Sequence, residues 1–397
     1  MTFLNSNILT LTVTHFLWGF VNFVYAIQIQ PYLLSIYGTT REAAQILGTI
    51  LTIGSFSAVI PLLFGFFADL YGRKRLIIIG ETISLIGLFG LSIGSSVVWV
   101  SIASIFVYNL GFGLYDSPLQ GLIHESALNK RGLAYSIVYN SSSIAGIIAS
   151  FLIQNEMLNG GYIIYFQISC ILFVLAIIIN FIVLRDRAKN KDQISFPLAQ
   201  VFKKPLSRLT AFAFFLDTFS WGLPLSIANG IYIILFGVDV AFIAAITMTT
   251  SVLLVLFQYP AGSLVDHFGR LFGLIMGEVT GIIWIILTLI SIAIHQAELL
   301  IIAYAMLGIS VAFWRPSVVL SFVEIDPTAV STNFGILSFV QRLGGVPTAA
   351  IAGLLFPLIG FSPLLVATFI GTLIVIIIFF KIDKLEKNQA TKLTVIQ

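Results

Sequence analysis

Charged residues are scarce in this sequence. Of its 397 residues, 9% are Asp, Glu, Lys or Arg, and 58% are hydrophobic. A soluble domain carries about 25% charged residues, so this chain has too little polar surface to dissolve as a globule. Its apolar runs are long and do not alternate with polar residues, which excludes a β-barrel. A backbone in lipid must then satisfy its hydrogen bonds within helices.

Cysteine and histidine are also scarce. The single Cys170 excludes an intramolecular disulfide and a cysteine metal cluster. The four histidines lack metal-ligand spacing, and no G-x-x-x-x-G-K-[S/T] phosphate-binding motif is present. Residues 90–94 match the G-x-S-x-G pattern of hydrolases but lie inside an apolar run rather than at a strand-to-helix turn. We therefore expect no enzymatic activity, no cofactor, no metal and no nucleic-acid partner.

The apolar runs predict membrane-spanning helices, each of which needs about 20 residues. The first run is too long for a signal-peptide core and should remain as the first helix. The twelve predicted spans lie at approximately 8–36, 42–68, 75–95, 98–121, 133–157, 161–184, 209–236, 240–265, 271–293, 298–322, 331–357 and 362–381.

Basic residues between these spans predict the orientation. With both termini in the cytoplasm, seventeen Lys and Arg residues fall on the cytoplasmic side and only Arg41 falls outside. The positive-inside rule therefore favours a multi-pass protein of the cell membrane with both termini cytoplasmic. The polar stretch midway along the chain predicts four segments. They are an N-terminal half at 1–184, a cytoplasmic linker at 185–208, a C-terminal half at 209–381 and a cytoplasmic tail at 382–397.

A short glycine-rich and charged motif occurs twice. Gly65, Asp69, Gly72 and Arg73 lie between the second and third predicted spans, and the same spacing recurs 197 residues later. Further along the chain the best offset is 199, and it pairs the two glutamates that follow spans 4 and 10. The residues of the second copy, with the glutamate pair, are Gly262, Asp266, Gly269, Arg270, Glu125 and Glu324. The chain is therefore predicted to be a duplicated six-helix unit.

The motif G-x-x-x-D-x-x-G-R-[K/R]-[K/R] resembles the signature loop of the major facilitator superfamily of secondary transporters, and the resemblance covers essentially the whole chain. It implies an all-α integral membrane fold with twelve transmembrane helices in two parallel, pseudo-symmetric six-helix bundles, and alternating access to a substrate near the midplane. In that family the loop lies on the cytoplasmic side and latches the halves together when the transporter faces outward. The alternative is an ordinary solvated charge cluster.

Within this latch we expect specific pairs. Arg73 is placed to pair with Glu125, and Arg270 with Glu324. Asp69 and its counterpart can accept hydrogen bonds from helix N-terminal amides. The subfamily is not assigned, because Asn109 occupies the place of the drug antiporters' arginine in helix 4 and the sugar-porter hallmark is absent from the linker.

Four ionisable residues lie deep inside predicted spans, where each is costly and usually faces a bundle interior or an aqueous cavity. Glu81 and Glu278 lie nearer the cytoplasmic ends of spans 3 and 9. At offset 199, Asp116 corresponds to Arg315, so the two could form a gate between the halves or a static pair. Asp217 lies near mid-membrane, where its carboxyl group could carry a proton or be a neutral structural acid. Arg342 could bind an anion or neutralise a nearby carboxylate.

Polar and aromatic side chains on the helices that line the cavity in this superfamily complete the candidate substrate or coupling set. They are Asn22, Gln28, Asn109, Trp221, Asn229 and Trp314. Without an ATP site, uphill transport needs a gradient, and a proton gradient is favoured because no sodium site is visible. The mixed charges favour a small polar, zwitterionic or anionic solute, carried by a monomer in the lipid bilayer. The alternatives are drug or amphiphile efflux, a lipid flippase on the same fold, and a membrane sensor that transports nothing.

Overall fold

The computed structural model describes residues 6–59, 61–127, 131–157, 161–186, 205–323 and 330–396. Within these ranges the secondary structure is α-helical apart from a short 3-10 helix at Phe56–Val59. The N-terminal half contains α1 Ser6–Tyr37, α2 Arg41–Ser55, α3 Pro61–Tyr71, α4 Arg73–Ser92, α5 Val98–Ser126, α6 Arg131–Gln154 and α7 Gly161–Val183. The C-terminal half contains α8 Pro205–Leu225, α9 Ala228–Phe236, α10 Val240–Phe268, α11 Arg270–Ile294, α12 Leu299–Val323, α13 Val330–Gly345, α14 Thr348–Ile359 and α15 Ser362–Ile396.

Eleven helical stretches of the described residues are long and apolar enough to cross a membrane. Each corresponds to one of the predicted spans. The remaining prediction, 42–68, contains α2, the 3-10 helix and α3, and residue 60 between the last two lies outside the described residues.

The ends of the predicted segments are partly described. Residues 187–204 of the predicted linker lie outside the described residues. The predicted tail at 382–397 continues as part of α15, which extends without interruption to Ile396. The last helix is therefore longer than the span predicted from hydrophobicity alone.

Hydrogen bonds bring several helix ends to one face of the bundle. Asn7 at the start of α1 donates to the Ser126 hydroxyl at 3.3 Å and to the Arg185 carbonyl at 2.9 Å. The backbone amide of Lys74, at the start of α4, donates to the Asp186 carboxylate at 3.2 Å. The start of α1, the ends of α5 and α7 and the turn between α3 and α4 therefore share one face, called the loop face below.

The other ends lie on the far face. The Tyr32 hydroxyl, near the end of α1, donates to the carbonyl of Ser95 in the turn after α4 at 3.1 Å. Successive long helices therefore run in opposite directions between the two faces. Their outer surface is apolar, with side chains such as Leu358 and Ile171 exposed at 78% and 69%, as expected for helices that face lipid.

Small residues let the helices approach closely. A Cβ at Gly80 of α4 would lie 2.8 Å from the carbonyl oxygen of Gly111 on α5. Between the halves, a Cβ at Gly353 of α14 would lie 2.6 Å from the carbonyl oxygen of Ala44 on α2. Both distances are shorter than real Cβ contacts, so only glycine permits this packing, which is typical of membrane helices. The halves meet where α10 contacts α6 and where α13 and α14 contact α2, α3 and α5.

Candidate functional site

The first copy of the charged motif lies in the turn between α3 and α4 and is buried. Gly72 adopts φ 101°, and α4 begins at the next residue, Arg73, which is 3% exposed. The guanidinium of Arg73 donates to Asp69 at 2.7 Å and to the Ser331 hydroxyl of α13 at 2.6 Å, and it also pairs with Glu125 at the end of α5. A cation in the N-terminal half is thus held by two carboxylates of its own half and reaches the C-terminal half.

Asp69 makes the second connection between the halves. Its carboxylate accepts hydrogen bonds from the backbone amide and the hydroxyl of Thr332, at 2.9 and 2.8 Å. Thr332 lies in the first turn of α13, where unpaired amides and the helix dipole favour a negative charge. This is the kind of contact predicted for Asp69. A Cβ at Gly65 would collide with the Ser331 carbonyl, so the backbones of α3 and α13 are in contact there as well.

The second copy, between α10 and α11, has a different environment. Asp266 is exposed, and a Cβ at Gly262 would meet no atom of the described residues within 4 Å. Arg270 pairs with Glu386 on α15, within its own half. The predicted partner Glu324 lies outside the described residues, so the observed ion pair joins Arg270 to a residue that the internal repeat did not indicate.

A second set of contacts joins the halves nearer the far face. The chain leaves the helical path between α8 and α9, which frees the carbonyl of Ser226 and the amide of Gly230. The Gln30 side chain of α1 binds both, donating to Ser226 at 3.0 Å and accepting from Gly230 at 2.7 Å. The hydroxyl of Thr52 on α2 likewise donates to the Val346 carbonyl at 3.2 Å. Hydrogen bonds between the halves therefore lie on both sides of the centre.

A cavity of about 590 Å³ lies between these two sets of contacts. Helices α1, α2 and α5 of the N-terminal half and α8, α9, α12, α13 and α14 of the C-terminal half contribute to its wall. Its volume is within the range of roughly 300 to 1,000 Å³ typical of small-molecule sites. The side chains in its wall that offer a charge, an amide or a polar aromatic ring are Tyr25, Gln30, Asn109, Asp116, Asn229, Trp314, Gln341 and Arg342.

The charged groups near this cavity are arranged differently from the predicted pair. Asp116 accepts hydrogen bonds from Gln120 at 3.2 Å and Ser338 at 3.5 Å, and its strongest charge interaction is with Arg342 rather than Arg315. Within the described residues Asp116 forms no direct ion pair with either arginine. Arg315 does not line the cavity. The cavity wall therefore carries Asp116 and Arg342, and the pairing of Asp116 with Arg315 stays a prediction.

Asp217 and Glu278 form a separate buried group inside the C-terminal half. They are 2% and 1% exposed, and their carboxyl groups are in contact. The indole of Trp221 donates to Glu278 at 3.0 Å, and Trp314 contacts Asp217. In the described part of the chain, one oxygen of each carboxyl group has no well-aligned hydrogen-bond partner. No arginine or lysine forms an ion pair with either acid there.

The family model described as Major Facilitator Superfamily matches residues 11–210, just over half of the chain. The chain belongs to the major facilitator superfamily. It is therefore a multi-pass membrane transporter rather than an enzyme, and the resemblance found in the sequence is confirmed. No curated protein matches the sequence.

Solved structures of the superfamily share the fold at low identity. A mutant of the nucleoside transporter NupG is similar with a TM-score of 0.74 and 15% identity, covering 95% of this chain and 100% of that one. The human organic anion transporter MFSD10 gives 0.74 and 13%, covering 94% and 99%. The xylose transporter XylE from E. coli, in a partially occluded inward open conformation, gives 0.74 and 14%, covering 95% and 98%. These similarities show the fold alone.

Within this superfamily fold, only part of the predicted set lines the cavity. Those that do are Asn109, Asp116, Asn229, Trp314 and Arg342. Those that do not are Asn22, Gln28, Asp217, Trp221 and Arg315. Asn22 accepts a long hydrogen bond of 3.5 Å from Tyr108, and Gln28 is 1% exposed.

Three cavity residues were missed by sequence reasoning. Tyr25, Gln30 and Gln341 line the cavity, and Gln30 also joins the halves. A signal was present, because a glutamine in an apolar helix is costly when it faces lipid. That argument selected Gln28 but applies equally to Gln30 two residues later. The rotation of α1 about its axis decides which of the two glutamines faces the cavity, and the sequence does not give that rotation.

Proposed function

We propose that this protein is a proton-coupled secondary transporter that moves a small polar organic solute by alternating access. The observation that carries the proposal is the buried pair of Asp217 and Glu278 beside the wall of a cavity between the two halves. The polar side chains of that wall favour a polar solute over a lipid or a lipophilic cation. The cavity is complete within one chain, which supports a functional monomer.

The contacts on the two sides of the cavity support alternating access. On the loop face the halves are joined by Asp69 and Arg73, and nearer the far face by Gln30. Each set consists of a few hydrogen bonds that end on backbone groups or hydroxyls of the other half. A rocking motion of the halves could break one set while the other remains, which would open the cavity to one face at a time.

The acid pair supports proton coupling. Two carboxyl groups in contact within a low-dielectric interior do not both ionise, since that would place like charges together. Asp217 and Glu278 would therefore share a proton. Trp314 connects this pair to the solute, because it both contacts Asp217 and lines the cavity. A solute that moves Trp314 would change the proton affinity of the pair, and linkage requires the reverse effect.

The indoles beside the acid pair provide a test that needs no known solute. Because Trp221 donates to Glu278, its fluorescence should change as the pair loses its proton with rising pH. We expect a pH transition in the wild type that is lost in the double variant Asp217→Asn, Glu278→Gln, which has no acid left at this position. Asp239→Asn is a matched control, since Asp239 is an exposed acid that caps α10 through Phe242. A transition that persists in the double variant would contradict the assignment of the shared proton.

Transport gives the second test. In proteoliposomes with an imposed pH gradient, Asp217→Asn should abolish uphill accumulation of the solute while sparing exchange across the membrane. Full accumulation in the variant would overturn proton coupling through this pair. Absence of solute counterflow in the wild type would instead favour a sensor that transports nothing.

The orientation belongs to the same proposal. Arg73, Lys74 and Arg185 lie at the loop face, which we infer to be cytoplasmic by the positive-inside rule. With Cys170 replaced by serine, a single cysteine at Lys384 should react with a membrane-impermeant maleimide in inside-out vesicles only. Labelling in intact cells would reverse the proposed topology.

A further inference from the structure

Two charged side chains line the central cavity, and they have opposite signs. Asp116 extends from α5 in the N-terminal half and Arg342 from α13 in the C-terminal half. The remaining side chains of the wall are uncharged. The described wall therefore carries both signs of charge and no net charge, and the two charges belong to the two parts that must move relative to each other.

Neither charge is neutralised by direct contact with the other. Asp116 is held by neutral donors, Gln120 at 3.2 Å and Ser338 at 3.5 Å. The guanidinium of Arg342 lies over the ring of Phe112, 4.7 Å from its centroid. Within the described residues, Arg342 makes no ion pair. A charge in a membrane interior is costly unless it is paired or faces a polar cavity, so both groups remain available to a ligand between them.

We propose that the cavity selects a zwitterion, whose cationic group binds at Asp116 and whose anionic group binds at Arg342. This rests on the proposed function, in that the cavity is taken as the solute site. The planar guanidinium fork matches a carboxylate or phosphate with two parallel hydrogen bonds. A solute with charge of only one sign would leave the other protein charge without a counter-ion, and an uncharged polyol would leave both without one.

Such a solute also bridges the halves. Its two charged groups would contact Asp116 on one half and Arg342 on the other, so binding would draw the halves together around it. A solute that satisfied only one of the two charges would contact one half electrostatically and would not favour this closed arrangement. Recognition and the conformational change would then depend on the same two residues.

Arg315 is the other cation near Asp116, and it provides a discriminating variant. It lies outside the cavity wall and interacts with the charge of Asp116. It therefore acts on Asp116 from within the protein and does not contact the solute. If Arg315 rather than Arg342 set the charge preference, the assignment of the anionic subsite would be wrong.

The first experiment is a thermal-shift screen of the purified full-length protein. The zwitterions are the standard neutral α-amino acids, glycine betaine and γ-aminobutyrate. The anions are lactate and succinate, the cations choline and putrescine, and the neutral solutes glucose and mannitol. We expect at least one zwitterion at saturation to raise the unfolding temperature by roughly 2 to 4 °C or more, and no solute of the other classes to match it. A best ligand from another class, or no shift with any zwitterion, overturns the proposal.

The second experiment changes the charge of the wall one side chain at a time. Arg342→Gln should weaken zwitterion binding at least about tenfold and improve binding of the corresponding amine that lacks the anionic group. Asp116→Asn should do the reverse and favour the corresponding acid that lacks the amine. Arg342→Lys keeps the charge, so it should keep the zwitterion preference at lower affinity, which covers the case in which Arg342→Gln does not fold.

Two exposed residues supply the controls. Lys381→Gln and Glu298→Gln remove one charge of each sign far from the wall, and both should leave the order of ligand affinities unchanged. An inversion of charge preference in Arg315→Gln, with none in Arg342→Gln, would overturn the proposal. Binding needs no gradient, so the two proposals can fail separately. Zwitterion binding without proton-driven accumulation would refute proton coupling but not zwitterion selectivity. Proton-driven accumulation of a solute of another class would refute zwitterion selectivity but not proton coupling.

Discussion

The two copies of the signature motif have the same spacing but different surroundings. In the first, Asp69 and Arg73 are 5% and 3% exposed and join the N-terminal half to α13. In the second, Asp266 is exposed and Arg270 pairs with Glu386 of its own half. The halves are thus related by an internal repeat, yet at the loop face the described hydrogen bonds between them run through the first copy.

What the copies share is the local backbone. Gly72 and Gly269 have φ of 101° and 89°, and in each case a helix begins with the following arginine. The copies differ in which residues their aspartate and arginine contact, and these contacts depend on how the two halves are oriented. The comparison teaches that the motif specifies a turn with an available acid and cation, and that the conformation of the whole protein decides what they hold.

The largest difference in unfolding free energy between the two copies is expected when their arginines are replaced. Arg73→Gln should leave Asp69 and Glu125 without their cation in a buried site, and breaking a buried ion pair costs about 3 to 5 kcal/mol. Arg270→Gln removes its pair with Glu386, whose side chains are 24% and 31% exposed, and the loss of that pair should cost no more than about 1 kcal/mol. Both losses in stability can be measured by thermal unfolding, with the reactivity of the half-buried Cys170 thiol as the signal. Equal losses would contradict the inequivalence of the copies.

The second largest difference in stability is expected between alanine variants of Gly65 and Gly262, the first glycine of each motif copy. A Cβ at Gly65 would collide with the Ser331 carbonyl, so Gly65→Ala should weaken the loop-face contact by about 1 to 3 kcal/mol, as overpacking does. The added methyl group of Gly262→Ala meets no atom of the described residues within 4 Å, so this variant should be neutral or stabilising by up to about 1 kcal/mol in its helix.

The readout is a cysteine at Ser331 in a protein with Cys170 replaced by serine. Labelling of this cysteine should become faster in Gly65→Ala, because opening of the loop face exposes α13, and should not change in Gly262→Ala. Unchanged labelling in both variants would show that the close approach at Gly65 does not hold the halves together.

The smallest difference is expected at the turn glycines, where the copies share their geometry. Gly72→Ala and Gly269→Ala each force a side chain into a region open almost only to glycine, at about 1 to 3 kcal/mol. The two losses in unfolding free energy should agree closely. A modestly larger loss in Gly72→Ala would reflect the collision of the added Cβ with the Asp186 carboxylate. A large loss at only one site would mean that the turns are not equivalent.

Much of the architecture was predictable because it depends on local properties. Apolar length predicted helices that cross a membrane, and the spacing of Gly65 and Asp69 identified the superfamily. The hydrogen bonds of Asp69 to Thr332 are of the predicted kind, since a carboxylate near a helix N-terminus has favourable partners wherever that helix comes from.

The candidate site was less predictable. Asp116 lines the cavity together with Arg342, whereas its predicted partner Arg315 lies outside the wall. Asp217 contacts Glu278 rather than the cavity. Pseudo-symmetry relates positions within the two halves and does not determine which groups meet across the interface. Costs of burial indicate that a polar side chain faces inward without indicating whether it meets a cavity or a neighbouring helix.

By itself, the sequence determined the membrane environment, the helical fold, the internal repeat and the two turns, because each follows from residues close together in the chain. Tertiary structure alone decided that Gln30 joins the halves while Gln28 is buried beside it, and that one motif copy connects the halves while the other holds α15. The physical reason is that successive helical side chains turn by about 100°, so contacts depend on the rotation and tilt of each helix, which only the packed bundle sets.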